Sequence, residues 1–133
     1  SYFLRIQHRS HLSVTCSDPL QLSDSPTSVD LTSPATNTFG TDAQKEMNGV
    51  CMLWPGDVTG NGALKYAGMG NDRDPILLAI GGGNLLGTIG GYHREDINLD
   101  GVVKYTGIDN DRDIILQSIG GNNVLAVRYE QLP

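Results

Sequence analysis

The sequence predicts an α+β fold: a small, mostly antiparallel β portion over residues 1–55, then a duplicated loop–helix portion over residues 56–133 that closes with a strand. Three observations carry this expectation. Short runs near the start alternate apolar and polar residues with the period of a strand. Residues 57–82, DVTGNGALKYAGMGNDRDPILLAIGG, return as residues 96–121, DINLDGVVKYTGIDNDRDIILQSIGG, with 14 of the 26 ungapped pairs identical. Each copy also ends in a short one-sided apolar run that starts at Asn and stops at Gly-Gly, as a capped helix does. A repeat of this length makes each copy one supersecondary unit.

In chain order, residues 2–8 set Phe3, Arg5 and Gln7 against Tyr2, Leu4 and Ile6, and residues 11–17 align Leu12, Val14 and Cys16. With a turn at Arg9-Ser10 they read as a hairpin. Asp18-Pro19 breaks it; residues 19–23 and 28–33 offer further short strands, and 33–41 has turn composition. Residues 41–49 read as a single helical turn, capped by Thr41 or Asp42 and stopped by Gly49. VCMLW (50–54) reads as a buried strand, with Trp54 at the junction of the two portions. The repeats then place helices at about 72–80 and 111–119, with Ile76, Leu77, Ile80 and Ile115, Leu116, Ile119 as their apolar faces. Residues 123–131 alternate again, as a strand that rejoins the N-terminal sheet. Leu64 and Val103, just past the turn glycines, are placed to pair the two loops across a pseudo-twofold.

Each repeat opens with oxygen side chains at alternate positions and then a glycine: Asp57, Thr59, Asn61, Gly62 and Asp96, Asn98, Asp100, Gly101. A curling loop aims side chains 1, 3 and 5 at one centre, and the glycine takes the turn that brings in the next carbonyl, of Ala63 or Val102. This is the front half of an EF-hand-type calcium loop, whose hard cation takes six to eight oxygens. The back half departs from that pattern, since the twelfth positions are Gly68 and Gly107. Helices starting near Asn71 and Asn110 put Asp74 and Asp113 where the closing acid belongs, with Asp72 and Asp111 in reserve. The expected cofactor is therefore Ca²⁺ at two sites, held by Asp57, Thr59, Asn61, Ala63 and Asp74, and by Asp96, Asn98, Asp100, Val102 and Asp113. Loop 2 offers one carboxylate more than loop 1, which predicts the tighter site there.

These loops, the short helices and the duplication resemble dockerin-type repeats. More closely, the DxNxDGxVKYTGxxNDRDxIL run and its IGG resemble a divergent dockerin-like repeat region at the C-termini of large secreted or surface proteins of Bacteroidetes bacteria. The HRSHL segment, the VDLTSPATNTFGTDAQ stretch and the EQLP ending extend that resemblance over nearly the whole chain. It implies a calcium-stabilised extracellular module, secreted or at the cell surface.

Composition narrows the function classes. A net charge of −6 argues against nucleic acid as a partner. No run approaches the 18 apolar residues of a membrane span, and no signal segment opens the chain, which reads as a mature piece of something longer. Cys16 and Cys51 form no CxxC pair, so zinc is not expected from them; a bridge between them and two free thiols both stand as readings. His8 and His11, three apart, fall on opposite faces of a strand, and no nucleophile, zincin or phosphate-loop motif is present. No catalytic residue is expected. The leading reading is a noncatalytic, calcium-binding terminal module for anchoring or assembly, through a protein partner or self-association. The second is a recognition module for a cohesin-like protein or a glycan; Tyr66 and Tyr105 are its candidate platform, with packing as their plainer role.

Overall fold

The computed structural model describes residues 1–133. Ten short strands pair into five two-stranded antiparallel sheets, and the two helices have seven and eight residues. The fold is β-rich, so the expected α+β layout with a tandem of EF-hand-like loop–helix units is corrected. An EF-hand-like unit runs from its loop into a helix. Here the residues after each turn glycine instead form strands, β7 (Ala63–Lys65) and β9 (Val102–Lys104), whose middle residues Leu64 and Val103 are fully buried. Gly68 and Gly107 then turn the chain in left-handed conformation (φ 87° and 95°), which a side chain resists. Only after that turn do α1 (Arg73–Ala79) and α2 (Asp111–Ser118) begin.

The N-terminal hairpin forms, with β1 (Arg5–Ile6) antiparallel to β3 (Val14–Thr15). Between them β2 (Ser10–His11) turns outward and pairs with β6 (Pro55–Asp57), so the boundary expected between residues 55 and 56 falls inside a paired strand. The helical turn expected at 41–49 is absent. Residues there make a hairpin of β4 (Lys45–Met47) and β5 (Val50–Met52), because Asn48-Gly49 supplies two consecutive positive φ angles, 54° and 78°. Residues 28–33 form no strand; Asp30 caps a turn by accepting from Thr32 N and Oγ1. Cys16 is buried and Cys51 half-buried, and both are free thiols.

The two repeats interlock by exchanging strands. β8 (Thr88–Gly90), at the end of the first, pairs with β9 of the second; β10 (Val127–Tyr129), at the end of the second, returns to β7 of the first. Both registers are offset by the repeat length, Ile89↔Val103 matching Arg128↔Leu64. Leu64 and Val103 therefore pair along the backbone with the exit strands, and both are buried in one core. β10 does not rejoin the N-terminal sheet as a strand; the residues just after it reach that sheet, Gln131 by a bridge to Val14 and Glu130 by contacts to Arg5 and Ser13.

One core joins these parts: Leu12, Val58, Leu64, Ile76, Ile97, Val103, Tyr105, Ile115 and Ile119. Burial of such side chains contributes roughly 1.5–3 kcal/mol each, whereas helices of this length are marginal alone. Packing and strand exchange thus hold the repeats in place. Trp54 does lie at the junction, its Nε1 donating to Asp42 O at 3.0 Å and its ring under Arg128 at 3.5 Å.

Candidate metal centres

The first acid of each loop is drawn inside by the backbone that curls round it. Asp57 is 4 % exposed and accepts from the N–H groups of Gly60, Asn61 and Gly62 at 2.8, 3.1 and 3.0 Å. Asp96 is 1 % exposed and accepts from those of Asp100 and Gly101, both at 3.1 Å. Positive φ at Gly60 and Gly62 makes this curl, with Leu99 (φ 63°) standing where loop 1 has Gly60. Asn61 and Asp100 accept from Ala63 N and Val102 N, and Asn98 accepts from Asp100 N. Ala63 and Val102 open β7 and β9.

The acids that close the loops are Asp72 and Asp111, both 0 % exposed. Asp72 takes Thr59 N and Oγ1 on Oδ1 (3.0 and 3.1 Å) and Lys65 N on Oδ2 (2.9 Å). Asp111 takes Ile97 N (2.7 Å) and Asn98 N (3.3 Å) on Oδ1 and Lys104 N (2.8 Å) on Oδ2. Thr59 Oγ1 lies between the two acids of loop 1, also 3.4 Å from Asp57 Oδ1.

Asp74 and Asp113, the expected closing acids, stand at the helix starts, and Asp113 lines one cleft with Asn98 and Asp100 of loop 2. Each receives the side-chain amide of Asn71 or Asn110 (2.8 and 2.9 Å) and returns its backbone N–H to that residue's Oδ1. This reciprocal cap, with a flanking Arg73 or Arg112, holds both carboxylates on the rim, 56 % and 46 % exposed. The spacing Asn-x-x-Asp that makes this cap stands in both repeats of the sequence.

The electrostatics follow from burial. Desolvation raises the pKa of Asp72 and Asp111; their backbone hydrogen bonds oppose this, and the charge of Asp57 or Asp96 adds to it. Asp113 moves the other way, its carboxylate favoured first by Asn110 and then by Arg112. Loop 1 has no cationic side chain within 4 Å of its two buried acids. Loop 2 has Arg9, buried but for 16 %, with Nη2 3.8 Å from Asp96 Oδ2 and its guanidinium also donating to the carbonyls of His93 and Asp96. Glu130 buttresses loop 1: its N–H donates to Gly62 O, and its carboxylate holds Arg5 and Ser13 N. No feature of the sequence marked Arg9 or Glu130, because both reach the loops from outside the repeats.

The donor set fits a hard divalent cation: each loop brings two buried carboxylates together with amide or hydroxyl oxygens and no sulphur. Tyr66 and Tyr105 instead lie against the arginines of the first helical turns, 5.3 and 5.1 Å from Arg73 and Arg112, with Tyr105 buried in the core. No helix is long and apolar enough to cross a membrane. No protein-family model, curated protein or solved structure matches this chain.

Proposed function

We propose that this chain is a noncatalytic module that binds two calcium ions, one in each of the loops 57–72 and 96–111, and serves as an anchoring or assembly domain of a secreted or cell-surface protein. The observation that carries this reading is the pairing of Asp57 with Asp72 and of Asp96 with Asp111, four carboxylates each at most 4 % exposed. Burying two like charges together is costly unless a cation joins them. Calcium meets that need with ligands these loops already hold close. The resemblance to dockerin-type repeats, carried by the loops, the short helices and their duplication, supports the same reading and the extracellular setting. Calcium titration of chelator-treated protein tests it, with two sites expected.

A second reading, recognition of a protein partner, draws on a different observation. Exposed apolar residues recur at the repeat spacing: Met69 with Ile108, Leu85 with Val124, and Leu86 with Leu125. Each copy thus exposes apolar side chains at matching positions, a feature suited to a protein ligand of the cohesin type or to a second copy of the chain. A glycan has less support, since Tyr66 and Tyr105 are turned to packing. Pull-down with wild type and with Met69→Ser/Ile108→Ser separates this reading from a purely structural role.

A further inference from the structure

We propose that His8 and His11 form a bidentate site for an imidazole-preferring divalent ion such as Zn²⁺, separate from both loops. The turn between β1 and β2, with Ser10 at φ 60°, folds the two rings onto each other instead of leaving them on opposite faces of a strand. Their Nδ1 atoms stand 3.2 Å apart and their centroids 4.9 Å. A tetrahedral zinc with Zn–N bonds of about 2.0–2.1 Å separates two of its nitrogens by roughly 3.3–3.4 Å. The pair therefore has the bite of a chelate with almost no movement.

Arg9 O lies 2.8 Å from His11 Nδ1 and accepts a hydrogen bond from it, which the ring gives up when the ion binds. No third His, Cys, Asp or Glu side chain joins the group, so water completes the coordination. In the metal-free protein the His11 Nδ1–H faces the Arg9 carbonyl, and the ion displaces that proton to solvent. Access is open, because both rings edge a polar cleft of about 500 Å³ between the N-terminal hairpin and loop 1. Nitrogen donors favour zinc, copper or nickel and disfavour calcium, so this site and the loops do not compete for one ion.

The test is titration of zinc chloride into full-length protein kept in excess calcium, read by calorimetry and by the ring ¹⁵N signals of the three histidines. The expected result is one zinc per chain, with His8 and His11 signals moving together and His93 unmoved. His8→Gln and His11→Gln should each weaken binding at least tenfold, and His93→Gln should leave it unchanged. His8 is exposed, so His8→Gln remains decisive if the half-buried His11 variant folds poorly. Zinc binding that survives His8→Gln, shifts confined to one ring, or no binding below 100 µM would overturn the proposal.

Discussion

Asp72 and Lys65 are joined twice: the Lys65 N–H donates to Asp72 Oδ2 at 2.9 Å, and the Asp72 N–H returns to the Lys65 carbonyl at 2.9 Å. Lys104 N donates to Asp111 in the same way at 2.8 Å. The acid that closes each loop is thereby fixed to the strand that leaves it. Asp72→Asn should weaken calcium at loop 1 at least tenfold. Asp74→Ala removes only a helix cap, costing about 1 kcal/mol of stability, and should leave calcium affinity within about threefold. Calorimetry paired with urea unfolding measures both; loss of calcium in Asp74→Ala alone would reverse the assignment.

Arg9 alters the ranking of the two sites that carboxylate counting gives. Loop 2 has Asp96, Asp100 and Asp111 against Asp57 and Asp72 in loop 1, but Arg9 stands where the incoming cation must neutralise Asp96. Arg9→Gln should tighten site 2 by about tenfold, or 1.4 kcal/mol, with site 1 unchanged. Arg9→Lys, which keeps the charge, should show little of that gain. Measurements in an Asp57→Ala background isolate site 2, and equal affinities in all three proteins would remove Arg9 from the account.

Glu130 couples loop 1 to the N-terminal hairpin through Arg5 and Ser13. Although it lies beyond the second repeat, Glu130→Ala should loosen loop 1 and lower calcium affinity there several-fold. Site 2 should keep its affinity. An effect on site 2 instead would show that the exchanged strands do not carry the coupling.

Acidity should act in opposite directions on the calcium-free and calcium-bound protein. The folded pKa values of Asp72 and Asp111 lie above the ordinary 3.8, first because of burial. Their contribution to calcium-free stability is fully present below that value and is lost as pH rises through the raised folded values. Asp113, whose folded pKa is lowered, contributes above its ordinary value and loses this as pH falls through the folded one. Relative to an Asp72→Asn/Asp111→Asn double variant, calcium-free wild type should therefore lose stability as pH rises above the ordinary carboxylate value of 3.8. Calcium affinity should rise over the same interval, since the ligands must be ionised. Urea midpoints with and without chelator test both slopes, and parallel slopes for wild type and variant would count against buried, titrating acids.

Much of this was legible because the repeat is a local code. Asn110 does cap α2, Asn71 stands one residue before the N-cap of α1, the Gly-Gly pairs do end the helices, and Asp57 and Asp96 are wrapped by their own loops, all through contacts within a few residues. The strands β7 and β9 were not legible. Three residues carry no usable period, and their partners β8 and β10 lie outside the repeated stretches, each after the opposite copy. Asn48-Gly49 was misread because Gly49 alone suits a helix stop, whereas the dipeptide makes a hairpin turn. His8 and His11 were separated by assuming a continuous strand, which Ser10 interrupts.

Calcium titration of chelator-treated wild type, Asp57→Ala and Asp96→Ala tests the central claim most directly. The account predicts two calcium ions per chain for wild type and one for each variant, with site 1 lost in Asp57→Ala and site 2 in Asp96→Ala. No calcium bound to wild type, or two ions still bound to either variant, would contradict it.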